Sequence, residues 1–160
     1  MAQSTRHFAD YLTGLRTMFE EEYVGEGLFE TLAGYHDGVA RPAFLLMAKI
    51  ERAMIAVTEP AIHRNGLQIR DPESLRAEGR DEAETMRTMS WPDFFEHVVT
   101  DYPAFLDEFE QVAQLAPPCD AADAKLLIDH EVAFIDFAVA CRRGKPDSME
   151  VLESFLARIT

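Results

Sequence analysis

Residues 64–89 read Arg-Asn-Gly-Leu-Gln-Ile-Arg-Asp-Pro-Glu-Ser-Leu-Arg-Ala-Glu-Gly-Arg-Asp-Glu-Ala-Glu-Thr-Met-Arg-Thr-Met. The stretch is rich in charge, is punctuated by Pro72 and Gly79, and lies between segments whose apolar residues recur every three or four positions. Those flanking segments read as long amphipathic helices, and the length of what joins them decides the topology. A helix of about 22 residues spans about 33 Å, which a connection of about 27 residues can traverse and a turn of five or six cannot. The connections along the chain therefore run short, long, short: a helical hairpin, a crossover along the length of a bundle, and a second hairpin. Pro72 allows a short helix within the crossover, but so charged a segment does not read as a main core element.

Upstream, Tyr11, Leu15, Met18, Glu22, Gly25, Phe29, Leu32 and His36 form one seam of a first helix. It is expected to begin near Ser4 or Thr5 and to end at Asp37-Gly38. Pro42 suits the first turn of a second helix, with Met47, Ile50, Met54 and Val57 on one face, running to the neighbourhood of His63 before Asn65-Gly66. Downstream, Ser90 with Asp93 three residues on has the form of a capping box. It opens a third amphipathic helix through Phe94, Val98, Tyr102, Phe109 and Val112, which Pro103 is expected to bend or break.

After Pro117-Pro118, Asp120 and Asp123 mark the start of a fourth helix through Leu126, His130, Phe134, Phe137 and Cys141, ended by Gly144. A capped last helix carries Met149, Leu152, Phe155 and Ile159. No segment alternates at period two, and no internal repeat favours a solenoid. The expected fold is all-α: one domain over residues 1–160, a four-helix bundle with a long crossover between helices 2 and 3 and an extra C-terminal helix. That last helix would cover its own bundle or, in a homo-oligomer, a neighbour's.

The chain has 160 residues, 15 of them Lys or Arg against 29 Asp or Glu, for a formal charge of −14. Such a field repels nucleic acid phosphates and anionic lipid headgroups, so neither is an expected partner. A 48% hydrophobic composition supplies material for one core. Cys119 and Cys141 form neither a disulfide framework nor a zinc pattern. The N-terminus has no secretory h-region, and the longest apolar run, Ala43 to Ala48, is far too short to span a membrane, so a cytoplasmic setting is expected.

Carboxylates on a core seam need a reason, because burying an unpaired charge costs several kcal/mol. Glu22, Glu26 and Glu30 fall at i, i+4 and i+8, with the seam passing through Glu22 and close to Glu26. Glu51 lies among Phe44, Met47, Met54 and Ile55, and His130 shares a stripe with Leu126, Phe134 and Phe137, with Glu131 beside it. Oxygen and imidazole groups converging from several helices are what divalent iron or manganese requires. Glu22, Glu26, Glu51, His130 and Glu131 are the metal-ligand candidates, and Phe134 and Phe137 are candidate walls of a small-molecule site. The plainer alternatives are a solvated acidic stripe, a core histidine bonded to a carboxylate across the bundle, and aromatic core packing. Glu59 and His63, with Pro60 between them near a helix end, read as a surface pair.

The helical layout, together with Tyr23-Val24-Gly25-Glu26-Gly27-Leu28-Phe29-Glu30 and Asp129-His130-Glu131-Val132-Ala133-Phe134-Ile135-Asp136-Phe137, resembles bacterial members of the ferritin-like superfamily. The resemblance implies an iron or manganese site inside the bundle and oxygen- or peroxide-dependent oxidation or metal handling. The chain departs from the superfamily's paired Glu-x-x-His motifs: Met54 stands three residues after Glu51, Leu127 three before His130, and Phe134 three after Glu131. On the third helix the acids are Glu96, Asp101 and Glu108, none on a clear apolar stripe. The alternative is a metal-free bundle that binds an apolar small molecule or a protein partner between its Phe-rich helices. His36-Asp37 lacks the partner ligands of a phosphohydrolase site, and neither a nucleophile elbow nor a Gly-rich phosphate loop occurs.

Overall fold

Gly38, Gly66 and Gly144 take left-handed backbone conformations, with φ of 62°, 62° and 66°, and each lies just beyond the end of a long helix. A residue without Cβ enters that region freely, which is why the chain turns at these points. The computed structural model describes residues 5–160, which form six helices and, among the described residues, no strand. They are α1 (Tyr11–Tyr35), α2 (Ala40–Arg64), α3 (Pro72–Thr85), α4 (Trp91–Leu115), α5 (Ala121–Arg142) and α6 (Met149–Ile159). None is long and apolar enough to cross a membrane.

The caps explain where helices begin. Asp10 accepts a hydrogen bond from the Thr13 amide at 2.8 Å, so α1 starts at Tyr11 rather than at Thr5, while Ser4 lies outside the described residues. Ser90 Oγ accepts from the Asp93 amide at 3.2 Å, the cap expected for α4, while the Asp93 carboxylate accepts from the Ser90 hydroxyl at 2.6 Å rather than from the Ser90 amide that a full capping box would use. Pro103 lies inside α4 without breaking it.

The segment between α2 and α4 differs from its expected role. Its helix, α3, packs along α1, with Leu75, Gly79 and Ala83 buried at i, i+4 and i+8. A Cβ on Gly79 would overlap the Val24 carbonyl oxygen and lie 2.7 Å from the Leu28 amide nitrogen, and a Cβ on Gly27 would overlap the Arg76 carbonyl. A glycine on each helix thus lets the two backbones approach, and a charge-rich helix becomes a core element through Leu75 and two small residues.

α1 also packs along α2, and α4 along α5; the two pairs meet where α1 touches α4 and α2 touches α5. α6 lies on this chain's own α2 and α5 and buries Leu152, Phe155 and Leu156. Phe29, Phe44, Phe94 and Phe134 interlock in the interior, with ring centroids 4.8 Å apart for Phe44 and Phe94 and 5.5 Å for Phe29 and Phe134.

Candidate metal centre

A carboxylate removed from water must be compensated by a cation, a proton or strong donors. Four of the buried acids solve this in one way. Glu20 accepts from Arg70 Nε at 2.9 Å, and Glu108 accepts from the Arg6 guanidinium at 2.6 and 2.9 Å and from its amide at 2.7 Å. Asp120, fully buried, accepts from Arg64 at 2.6 Å, Asn65 at 2.7 Å and Tyr11 at 3.1 Å. Its side chain therefore ties the start of α5 to α1 and α2 instead of capping α5, as its position had suggested. Glu26, one of the expected ligands, has Oε1 held by Arg52 at 2.6 Å and Oε2 by Arg76 at 2.7 Å. Both its oxygens are engaged by guanidinium groups, and it stands apart from the other candidates.

Those others converge. Glu22 from α1, Glu51 from α2 and His130 from α5 each offer a ligand atom within 4.8 Å of the other two, all buried. His130 Nδ1 lies 3.5 Å from Glu22 Oε2 and 3.9 Å from Glu131 Oε1, and Nε2 lies 3.4 Å from Glu51 Oε2. Charge-assisted hydrogen bonds are about 2.7–2.9 Å long. The contacts here are longer than that, and they run to opposite nitrogens of the imidazole, of which a single ion takes one: Nδ1 beside Glu22 and Glu131, or Nε2 beside Glu51. Glu22 Oε2, both ring nitrogens of His130 and Glu131 Oε2 are buried without a hydrogen-bond partner. Among the described residues no Arg or Lys pairs with Glu22, Glu51 or Glu131.

The electrostatics express the same imbalance. Burial pushes the Glu51 carboxyl well above its ordinary value and that of Glu131 up to about 7, in both cases against the opposing pull of His130. Burial alone would lower the His130 imidazole, but the Glu22 and Glu51 carboxylates hold it well above its usual range. One imidazolium cannot balance three carboxylates. Protons or a divalent cation must supply the remainder, and the donor set of carboxylate oxygens and one imidazole suits iron or manganese.

Packing fixes the cluster. Phe134 meets the His130 ring edge-on at 4.5 Å, and Phe155 of α6 stacks near it at 6.1 Å. Gly25 on α1 leaves room for the Glu51 side chain, since a Cβ there would lie 2.5 Å from Glu51 Oε1. Gly25 fell on the seam of the first helix in sequence, and the absence of a side chain at an otherwise apolar seam position was the available signal.

A cavity of about 400 Å³ opens beside the cluster and is lined in part by Gly25, Glu51, Glu131 and Phe134. Phe137 does not line it; its ring packs 6.2 Å from Trp91 in the aromatic core, because one turn along α5 has carried it past the cavity. The acids of α4 do not join the cluster either. Glu96 pairs with Arg142 at 3.5 Å, Asp101 with His97 at 2.7 Å, and Glu108 with Arg6. α4 supplies Tyr102, Phe105 and His97 to the cavity wall instead, none of which the sequence singled out as a site residue. Glu59 and His63, 3.9 Å apart, are both exposed.

No family model matches the chain, and no curated protein or solved structure matches it either.

Proposed function

We propose that this chain is a ferritin-like bundle protein that holds divalent iron or manganese through Glu22, Glu51 and His130, with Glu131 beside them, and acts as a metal-dependent oxidoreductase or metal-handling protein. The observation that carries the reading is the contrast in neutralisation: Glu20, Glu26, Glu108 and Asp120 each face an arginine, whereas the His130 cluster leaves buried ligand atoms without partners. The ferritin-like topology is supported by the pairing of α1 with α2 and of α4 with α5, and by the long α3-containing segment between the pairs.

A bound iron or manganese ion would supply Lewis-acid and oxygen- or peroxide-linked redox chemistry. The chain's own residues do the rest. Glu22, Glu51 and His130 present oxygen and nitrogen donors from three helices, Phe134 and Phe155 exclude water from one side of the imidazole, and Gly25 keeps space for the Glu51 carboxylate. Tyr102 and Phe105 face the cavity through which a small molecule would reach Glu51 and Glu131.

The test is metal content by inductively coupled plasma mass spectrometry on untagged protein, before and after anaerobic loading with Fe(II) or Mn(II) and desalting. Retention of one or two equivalents, lost in Glu51→Gln and His130→Gln with helical content unchanged, is the expected result. Failure of the wild-type protein to retain either ion overturns the reading. The second reading, a metal-free bundle that binds an apolar small molecule, draws on the cavity and its Phe134 wall; binding there without any metal retention would favour it.

A further inference from the structure

The cavity next to the His130 cluster is negatively charged beyond what its own cation can balance. Arg6 is the one Arg or Lys in its wall, and its guanidinium is already engaged by Glu108 and Glu21. Glu82 also lines the cavity and forms no ion pair among the described residues; Glu51 and Glu131 line it too, and His97, the imidazole in the wall, is engaged by Asp101 at 2.7 Å. A divalent ion on Glu51 and His130 would leave the Glu82 carboxylate, at the exposed side of the wall, free to pair with an incoming cation, since His97 is already engaged by Asp101.

A second feature is independent of the acids. Tyr102 is only 8% exposed, lines the cavity, and its hydroxyl makes no hydrogen bond among the described residues. A phenol oxygen that reaches the cavity without a protein partner leaves a donor and an acceptor site for an incoming polar group. The remaining wall is carbon: Leu28, Phe29, Phe105 and Phe134. Aromatic faces tolerate an adjacent cation and repel an anion, and a carboxylate or phosphate entering here would also meet the unbalanced acids.

We infer that this cavity binds a small protonated amine with an aromatic or alkyl body, its ammonium at Glu82 and Tyr102 and its carbon skeleton against Phe29, Phe105 and Phe134. The inference rests on the proposed function in taking the cavity as the substrate side of the metal centre, and it names the class of molecule that side accepts. A volume of about 400 Å³ suits such a ligand, and the chain's net charge of −14 favours approach of a cation over that of an anion.

Isothermal titration calorimetry with 2-phenylethylamine, 2-phenylethanol and 3-phenylpropionate, on metal-free and Mn(II)-loaded protein at pH 7, tests it. The amine is expected to bind about tenfold more tightly than the alcohol, and the acid not measurably. Glu82→Gln should erase most of that tenfold preference while leaving alcohol binding unchanged, and Tyr102→Phe should weaken the amine about threefold. Glu82 is exposed on α3, so its variant is expected to fold, which a thermal melt checks. An amine that binds no better than the alcohol, or equally well to Glu82→Gln, overturns the inference. Glu22→Gln separates the two claims, since Glu22 does not line the cavity: amine binding kept without metal retention anywhere refutes the metal reading alone, and metal retention without amine preference refutes this one alone.

Discussion

Glu22 and Glu26 lie one helical turn apart on α1, are 1% and 2% exposed, and differ in what faces them. Glu26 meets Arg52 from α2 and Arg76 from α3, one guanidinium for each oxygen. Glu22 meets His130 at 3.5 Å and no arginine, and its Oε2 has no hydrogen-bond partner. The same residue type at the same depth on the same helix is thus a closed ion-pair network in one case and an open donor set in the other. Burial of a carboxylate does not by itself distinguish the two; what differs is whether guanidinium groups or a single shared imidazole face it.

The largest effect expected from breaking this contrast is at the clamp. Arg76→Ala leaves Glu26 with one guanidinium in a buried setting and should lower stability by about 3 kcal/mol, measured by urea denaturation. A loss within the few tenths typical of surface substitutions would show that the clamp is not structural. Metal acts on the other half of the comparison: at free ion concentrations 100 times the dissociation constant, loading should raise stability by about 2.7 kcal/mol. That gain should vanish in Gly25→Ala, whose Cβ would displace the Glu51 carboxylate, and a full gain in that variant would place the ion elsewhere.

The pH response is smaller and distinguishes metal-free from loaded protein. The Glu131 carboxyl sits at about 7 in the folded chain against an ordinary 4.5, so the folded state binds the proton more tightly. Its contribution to stability is complete below about pH 4.5 and is lost as pH rises to 7; Glu51 and His130, both raised, act in the same direction. Metal-free protein should therefore melt several degrees lower at pH 8 than at pH 5.5 in differential scanning calorimetry. Metal-loaded protein should show the opposite trend, because its ligands must be deprotonated. A metal-free melting temperature that rises with pH would contradict the unbalanced cluster. The smallest effect is that of a neutral isostere: Glu131→Gln should stabilise metal-free protein by about 1 kcal/mol, whereas Glu26→Gln should destabilise it. Equal signs for the two in chemical denaturation would erase the distinction.

The sequence disclosed the helices built on large apolar residues, as in the seam of Leu15, Met18, Phe29 and Leu32, because such residues repeat with helical period whatever surrounds them. The core role of α3 is hard to read because its close approach to α1 runs through Gly79 against the Val24 and Leu28 backbone and Gly27 against that of Arg76, and a missing side chain leaves no apolar signal. The acids of the cluster were visible as charges interrupting apolar seams. Which seam acid is clamped was not, because Arg52 and Arg76 reach Glu26 from other helices and no spacing within α1 records that. Phe134 and Phe137 share a stripe on α5, yet the first faces the cavity and the second, about one turn further along, packs on Trp91, a division that periodicity does not record.

The most direct test of the open donor set is a paired measurement of Mn(II) retention by wild-type protein, Glu22→Gln and Glu26→Gln, loaded anaerobically, desalted and read by both mass spectrometry and electron paramagnetic resonance. The account predicts that wild type and Glu26→Gln retain the ion and that Glu22→Gln does not, although the two substitutions remove the same charge one turn apart. Equal retention by both variants, or none by wild type, would contradict it.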